Sequence, residues 1–138
     1  MKSSQEPLKL ELLKKIEFNS DRKRMSILVR DPTDGLIKLY IKGADSIILD
    51  RLSREPEKND EDTMSYVKKF VDYSSCIGLR TLLVAVKVLD EDELLQFNQD
   101  VEKADSNIEN RDANMAKVFD LFERDLTLIG ATAVEDRL

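Results

Sequence analysis

The chain has 138 residues, with 22 Lys and Arg against 28 Asp and Glu and no histidine, so its net charge at pH 7 is −6. Hydrophobic residues make up 41%, enough for one buried core, whereas the length is too short for two ordinary domains. The acidic balance argues against a nucleic-acid binder, because phosphate backbones favour basic surfaces. The absence of histidine excludes Ser-His triads and imidazole metal sites.

Cysteine content and hydropathy bear on the location of the chain. The single cysteine, Cys76, cannot form an internal disulfide or a Cys-rich zinc site, so we expect a cytosolic chain. No apolar run approaches the length needed to cross a bilayer, and residues 1–5 lack the hydrophobic stretch of a secretory signal.

The first third of the chain predicts β-structure. Residues 8–18 alternate imperfectly and suit a short helix or a strand, and the β-pattern of the next segment favours the strand. Residues 24–30 alternate with period two, with Met25, Ile27 and Val29 on one face and Ser26 and Arg30 on the other. The Pro-, Asp- and Gly-containing segment 31–35 predicts a turn, and 36–42 alternates again, so the pair forms a β-hairpin.

The middle of the chain predicts two helices and a strand. Residues 44–52 suit a short helix, and the charged segment 53–62 suits a loop. Residues 63–77 carry an amphipathic helical stripe, followed by Gly78 where a helix end favours a left-handed residue. The apolar run 81–89 predicts a central strand covered on both faces.

The last third predicts a helical hairpin and a final strand. Asp90 and Glu93 match a capping box. They open a helix whose apolar face comprises Leu94, Phe97, Val101, Ala104 and Ile108. The polar cluster 106–114 interrupts the helix, the stripe restarts at Met115, and 125–134 predicts a strand ending near Gly130.

The order of these elements predicts the fold class. It indicates an α+β domain with a mainly antiparallel twisted sheet, containing a β-hairpin and flanked by helices and a helical hairpin. Cys76 lies near the apolar helix face and is interpreted as inert core.

Phe18 is a candidate binding residue. It ends the first predicted strand beside Lys23 and Arg24, so it could stack a flat base while the cations meet phosphate. The alternative is that Phe18 belongs to the core and 21–24 is a solvated turn, and the pattern alone favours this alternative.

Lys42, Gly43, Ala44 and Asp45 form a second candidate. A lysine at a strand end, before small residues that open a helix, suits an anion. The spacing is not that of a Walker loop. A glycine turn with a solvent-facing lysine is the alternative that spacing favours.

Arg80 is a third candidate, between Gly78 and the apolar strand. An arginine beside a buried strand needs a carboxylate or phosphate partner, so a buried salt bridge and a phosphate site are equally favoured. The acidic residues show no metal-ligand spacing, and the segment 55–62 is interpreted as a solvated surface.

Four ordered segments carry a family resemblance. They are EFNSDRKRMSILVRDP (17–32), IKGADSIILDRL (41–52), CIGLRTLLVA (76–85) and LTLIGATAVEDRL (126–138). Together they resemble the nucleotide-binding (N) domain of P-type ATPases, in the phospholipid-translocating (flippase) branch. The segment ADSNIENRD (104–112) also resembles the flippase helical hairpin.

The resemblance implies an adenine pocket. Phe18 matches the aromatic residue that stacks on adenine, and Lys42 matches the lysine that lines the pocket. Gly43 and Ala44 match small residues that allow the base to approach closely.

The resemblance also implies a phosphate side to this pocket. Arg80 matches the arginine that contacts the ATP phosphates, with Leu82 packing nearby. Lys23 matches a basic residue close to the nucleotide, and Asp136 matches the aspartate at the hinge to the phosphorylation domain.

Several family motifs are absent from these 138 residues. The phosphorylated aspartate of the family lies in a DKTGT motif, which does not occur here, and the upstream acidic motif and the membrane helices are also absent. We therefore expect residues 1–138 to be a single, N-terminally truncated domain that ends at the hinge and does not turn over ATP alone. The Mg²⁺ expected in the parent protein has no ligands assigned here.

The expected function is an ATP-binding module of a flippase, which positions ATP for phosphorylation of an aspartate outside this chain. Its expected partners are ATP and the phosphorylation and actuator domains of the parent, on the cytoplasmic face of a membrane that this segment does not itself contact. One alternative is a non-enzymatic interaction module that uses loop 53–62 and hairpin 90–124. Another is the nucleotide domain of a cation pump, which the ending GATAVEDRL disfavours.

Overall fold

The computed structural model describes residues 9–135, which form one sheet and four helices. The strands are β1 (Glu11–Ile16), β2 (Arg24–Arg30), β3 (Ile37–Ala44), β4 (Leu79–Leu89) and β5 (Thr127–Glu135). The helices are α1 (Asp45–Leu49), α2 (Glu61–Cys76), α3 (Glu91–Asp105) and α4 (Arg111–Phe122). The five strands are antiparallel and lie in chain order, so the predicted α+β class is confirmed.

The predicted β2–β3 hairpin is confirmed. The Asp31 carboxylate accepts a hydrogen bond from the backbone N–H of Thr33 at 2.9 Å, and Gly35 takes a left-handed φ of 73°. The Lys38 ammonium bridges the carboxylates of Asp31 and Asp34 at 3.0 and 2.8 Å. These contacts close the turn and set the register in which Arg30 pairs with Ile37.

One face of the sheet carries the core. Leu28, Leu39 and Leu83 are almost completely buried on it, and Ile48 of α1, Val67 of α2 and Phe97 of α3 pack into the same cluster. Burial of these side chains is the main favourable term for this fold.

Strand β4 corrects one prediction. It is not covered on both faces, because Leu83 and Ala85 are buried whereas Val84 and Val86 are half-buried and Val88 is 52% exposed. A nearly continuous apolar run therefore lies in a strand with one covered face, since β-branched residues suit either face of a strand.

Strand β2 has the predicted alternation, but the polar face is the more deeply covered one in its first half. Arg24, Ser26 and Leu28 are buried, while on the opposite face Met25 and Ile27 are half-buried and Val29 is buried. Burial of an arginine and a serine on the polar face requires a polar partner in the core.

Strand β5 does not end near Gly130 but continues to Glu135. On the neighbouring strand β4, Val84 pairs with Gly130 and Ala85 pairs with Leu128. Residue 129 of β5 therefore has no partner in the register, which shifts at this point. The glycine therefore marks a bulge within the strand rather than the end of the strand.

The helix ends follow the sequence signals closely. Asp90 and Glu93 form the predicted capping box, and Gly78 takes a φ of 80° just after α2.

Cys76 is exposed, not core, because the covered stripe of α2 passes through Val67 and Ser74. Ile108 is 91% exposed in the linker between α3 and α4, so the apolar face of α3 ends at Ala104.

Candidate functional site

The strand order brings the predicted binding residues to one end of the sheet. Because the strands are antiparallel neighbours, β1 and β3 end there and β2 and β4 begin there. This end therefore holds the β1–β2 turn with Phe18 and Lys23, the end of β3 with Lys42, and the start of β4 with Arg80.

Phe18 lies two residues beyond the end of β1 and is 58% exposed, so the alternative that it belongs to the core is wrong. The turn behind it is ordered by Asn19, whose side-chain oxygen accepts from the N–H groups of Asp21 and Arg22 at 2.9 and 2.8 Å. The Asn19 carbonyl also accepts from the Lys23 N–H at 2.8 Å. An exposed aromatic ring thus stands at the start of a hydrogen-bonded turn.

The turn packs directly against the end of β3. The Ala44 N–H donates to the Lys23 carbonyl at 3.1 Å, and Gly43 pairs with Arg24. A Cβ atom on Gly43 would lie 2.7 Å from both the Lys23 carbonyl oxygen and the Arg24 Cβ. Glycine is therefore required here for the chain's own packing, and the predicted approach of a base along Ala44 stays a prediction.

Lys42, Ala44, Leu82 and Arg80 share one sheet face. Ala44 pairs with Leu82 and Lys42 pairs with Val84, and Arg80 lies two residues before Leu82, so all point to the side opposite the core. Lys42 and Arg80 are exposed, and Ala44 and Leu82 are half-buried. The alternative of a buried salt bridge at Arg80 is therefore wrong, because the Arg80 side chain is exposed.

Asp136 lies outside the described residues. Within residues 9–135, no group of three or more His, Cys, Asp or Glu is arranged to hold a metal ion. No helix in that same range has the length and apolarity to cross a bilayer.

Glu123 contacts the β1–β2 turn of the candidate site, and the sequence analysis did not predict it. It follows α4, has no exposed surface, and accepts bidentate hydrogen bonds from Arg22 at 2.8 and 2.9 Å. The same carboxylate accepts from the Arg24 Nε at 3.0 Å and from the Ser26 hydroxyl. Arg24 is therefore occupied by a protein carboxylate and is not the phosphate-binding cation that the sequence pattern allowed.

The electrostatics of this cluster favour an ionised glutamate. Burial by itself would raise the pKa of Glu123, but hydrogen bonds from Arg22 and Ser26 and the charges of Arg22 and Arg24 hold that pKa below its usual value. Desolvation lowers the pKa of Arg24, partly offset by the charge of Glu123. No sequence signal links these residues, because 97 to 101 positions separate them.

A third arginine joins the segment after α1 to the end of α4. Arg51, just after α1, is buried and donates to the backbone carbonyls of Asp120 and Glu123 at 3.0 and 3.2 Å. Its guanidinium also contacts the Asp120 carboxylate. The end of α4 is thus tied both to the β1–β2 turn and to the segment after α1.

A cavity of about 630 Å³ lies elsewhere, between α3 and α4. Phe97 and Phe122 line it and stack with ring centroids 3.8 Å apart. The Lys87 ammonium lies 4.6 Å from the Phe122 ring, and burial lowers the pKa of this lysine. Of the predicted binding residues that lie within 9–135, none lines this cavity.

Comparison with known proteins shows the family. The sequence model of the family described as P-type ATPase, cytoplasmic domain N, matches residues 3–138. The chain is 43% identical over 128 residues to Phospholipid-transporting ATPase 10 of Arabidopsis thaliana, 42% over 129 residues to Phospholipid-transporting ATPase tat-1 of Caenorhabditis elegans, and 44% over 128 residues to Phospholipid-transporting ATPase DRS2 of Saccharomyces cerevisiae.

These alignments cover 92%, 94% and 93% of this chain but 10%, 11% and 9% of the respective relatives. The chain therefore spans about a tenth of the length of the curated relatives it matches. The matched family is a cytoplasmic domain, in agreement with the expected location. The relatives named above are phospholipid-transporting ATPases, and the chain itself belongs to the P-type ATPase cytoplasmic domain N family.

Proposed function

We propose that this chain is the ATP-binding module of a phospholipid-translocating P-type ATPase. The bound nucleotide lies at the end of the sheet where the β1–β2 turn meets β3 and β4. The observation that carries this proposal is the convergence of exposed Phe18, Lys42 and Arg80 at that one end, with Ala44 and Leu82 on the same face as the two cations.

The chemistry of these side chains suits a nucleotide. A flat purine can stack on the exposed ring of Phe18, as bases do on aromatic side chains in general. Lys42 lines the base, while Lys23 and Arg80 supply positive charge toward the phosphates, where a guanidinium can make paired hydrogen bonds. Asp136 is proposed to lie near the nucleotide at the hinge.

The role of this module in phosphoryl transfer is positioning. In such reactions the protein contributes mainly orientation and electrostatic stabilisation of the transferred group. We propose that the module holds ATP so that its γ-phosphate meets an aspartate in the phosphorylation domain of the parent protein, with Mg²⁺ and the actuator domain supplied by that protein. Transport of a phospholipid is proposed for the parent from the names of the relatives.

A nucleotide titration of the 138-residue chain tests the proposal. Millimolar ATP should shift the backbone NMR signals of Phe18 and Lys42, and Phe18→Ala should abolish these shifts, because the stacking surface is gone. The matched control is Tyr73→Ala, which removes an exposed aromatic ring from α2. This variant should leave the titration unchanged.

Two results would count against ATP binding at this site. One is an unchanged wild-type spectrum at millimolar ATP, which would favour the interaction module built on loop 53–62 and hairpin 90–124. The other is a set of shifts that survives Phe18→Ala but disappears with Tyr73→Ala.

A further inference from the structure

We propose that Glu123 is a positioning residue for the nucleotide site, which acts through Arg22 on the turn that carries Phe18 and Lys23. The inference rests on the proposed function, since it concerns the binding of ATP at that turn. Glu123 has no exposed surface, so it acts without touching the nucleotide.

Arg22 is the physical link between Glu123 and Phe18. Its Nε donates to the carbonyl of Glu17, the residue before Phe18, at 3.2 Å. Its two terminal nitrogens donate to the two carboxylate oxygens of Glu123 at 2.8 and 2.9 Å. A planar guanidinium held at both oxygens has a fixed orientation, so the carboxylate fixes where the start of the turn lies.

The same carboxylate also holds the far side of Lys23. Arg24 and Ser26 donate to it as well. Arg22 and Arg24, the two residues that flank Lys23, are therefore both tied to Glu123. Lys23 itself has a left-handed φ of 57°, which a non-glycine residue keeps only when its surroundings enforce it. Its carbonyl accepts from Ala44, which carries this constraint to the end of β3.

Glu123 is itself firmly placed. The Arg51 guanidinium donates to the Glu123 carbonyl at 3.2 Å and to the Asp120 carbonyl at 3.0 Å. The anchor therefore belongs to the α1–α4 packing, while the anchored turn belongs to the proposed binding site.

Loss of the Glu123 carboxylate should weaken the binding of ATP, although no group that contacts ATP is removed. A turn that is no longer held samples other conformations, and only the fraction in the competent conformation binds. Glu123→Gln keeps the side-chain shape, removes the charge and leaves one acceptor for two arginines.

The experiment measures the ATP dissociation constant of the full chain by NMR titration, at a temperature where each variant shows a dispersed spectrum. Glu123→Gln and Arg22→Met should each weaken binding about tenfold, and the double variant should be weaker than either by no more than about twofold, because both remove the same link. Asp31→Asn is the matched control. Asp31 accepts from Lys38 in the β2–β3 turn, at the opposite end of the sheet from the β1–β2 turn, so this variant should lower Tm and leave the dissociation constant within about twofold.

A purely structural role for Glu123 predicts a different result, in which Glu123→Gln lowers Tm and binds ATP as the wild type does. That result overturns the inference, and if Glu123→Gln does not fold, wild-type affinity in Arg22→Met overturns it equally. Failure of the wild-type chain to bind ATP is a separate outcome, which overturns the proposed function and this inference with it.

Discussion

Of the four glycines, Gly43 is the one where an added methyl group would meet other atoms. An added Cβ would lie 2.7 Å from the Lys23 carbonyl oxygen, a backbone atom that cannot move without the turn. Gly43→Ala should therefore lower the free energy of unfolding by about 2 kcal/mol, in the range of overpacked sites. Urea unfolding followed by circular dichroism measures this change.

Gly130 supplies the matched control within the same sheet. A Cβ there would meet nothing within 4 Å, and its φ is not in the left-handed region. Gly130→Ala should leave the free energy of unfolding unchanged or raise it by about 0.5 kcal/mol, since alanine restricts the unfolded chain. Equal losses of stability in the two variants would contradict the packing role of Gly43.

Some side chains of the candidate site could be predicted from the sequence and others could not. Phe18 and Lys42 could be proposed from a resemblance carried by ordered motifs, and the structure brings their segments to one sheet end. Arg22 and Glu123 could not be proposed, because a buried ion pair across 101 positions leaves no periodic signal in either segment. The exposure of Phe18 was also not predictable, since an aromatic residue next to a strand is more often core.

At the scale of the element, the N-terminus of α3 gives a clear prediction. The Asp90 carboxylate accepts from the Glu93 N–H at 2.8 Å, and the Glu93 carboxylate accepts from the Asp90 N–H at 3.2 Å. Asp90→Ala should lower the free energy of unfolding by about 1 kcal/mol, because the Glu93 N–H at the start of the helix loses its acceptor. Chemical denaturation measures this change. The control is Glu102→Ala at an exposed position in the last turn of α3, whose free energy of unfolding should lie within about 0.5 kcal/mol of wild type.

The local sequence pattern predicted which segments are helices and strands. It did not predict which neighbours each helix or strand packs against. The hairpin at 31–36 and the capping box at Asp90 are confirmed because their signals involve residues within a few positions of each other. The exposure of Cys76 and the bulge at Gly130 depend on which neighbours pack against α2 and β5. Those neighbours are chosen by tertiary structure, so period and propensity alone assign them wrongly.

At the scale of the whole molecule, one buried carboxylate joins segments from both ends of the chain. Glu123 follows α4. Arg22 lies in the β1–β2 turn and Arg24 begins β2, and Arg51 ties the segment after α1 to the same carboxylate-bearing residue. Removal of one partner from such a cluster leaves the other charges buried without compensation, which destabilises a protein far more than loss of a surface pair.

Acid should therefore act on the whole fold through Glu123. Its folded pKa lies below the usual 4.5, so its contribution to stability is present above about pH 4.5 and is lost as the pH falls through the folded value. Glu123→Gln should lower the free energy of unfolding by about 3 kcal/mol at neutral pH, and the gap to wild type should narrow as the pH falls below about 4.5. Urea titrations at stepwise lower pH measure this gap, and Glu57→Gln in the exposed loop should follow wild type throughout. A gap that stays constant into acid would show that the charge of Glu123 does not stabilise the fold.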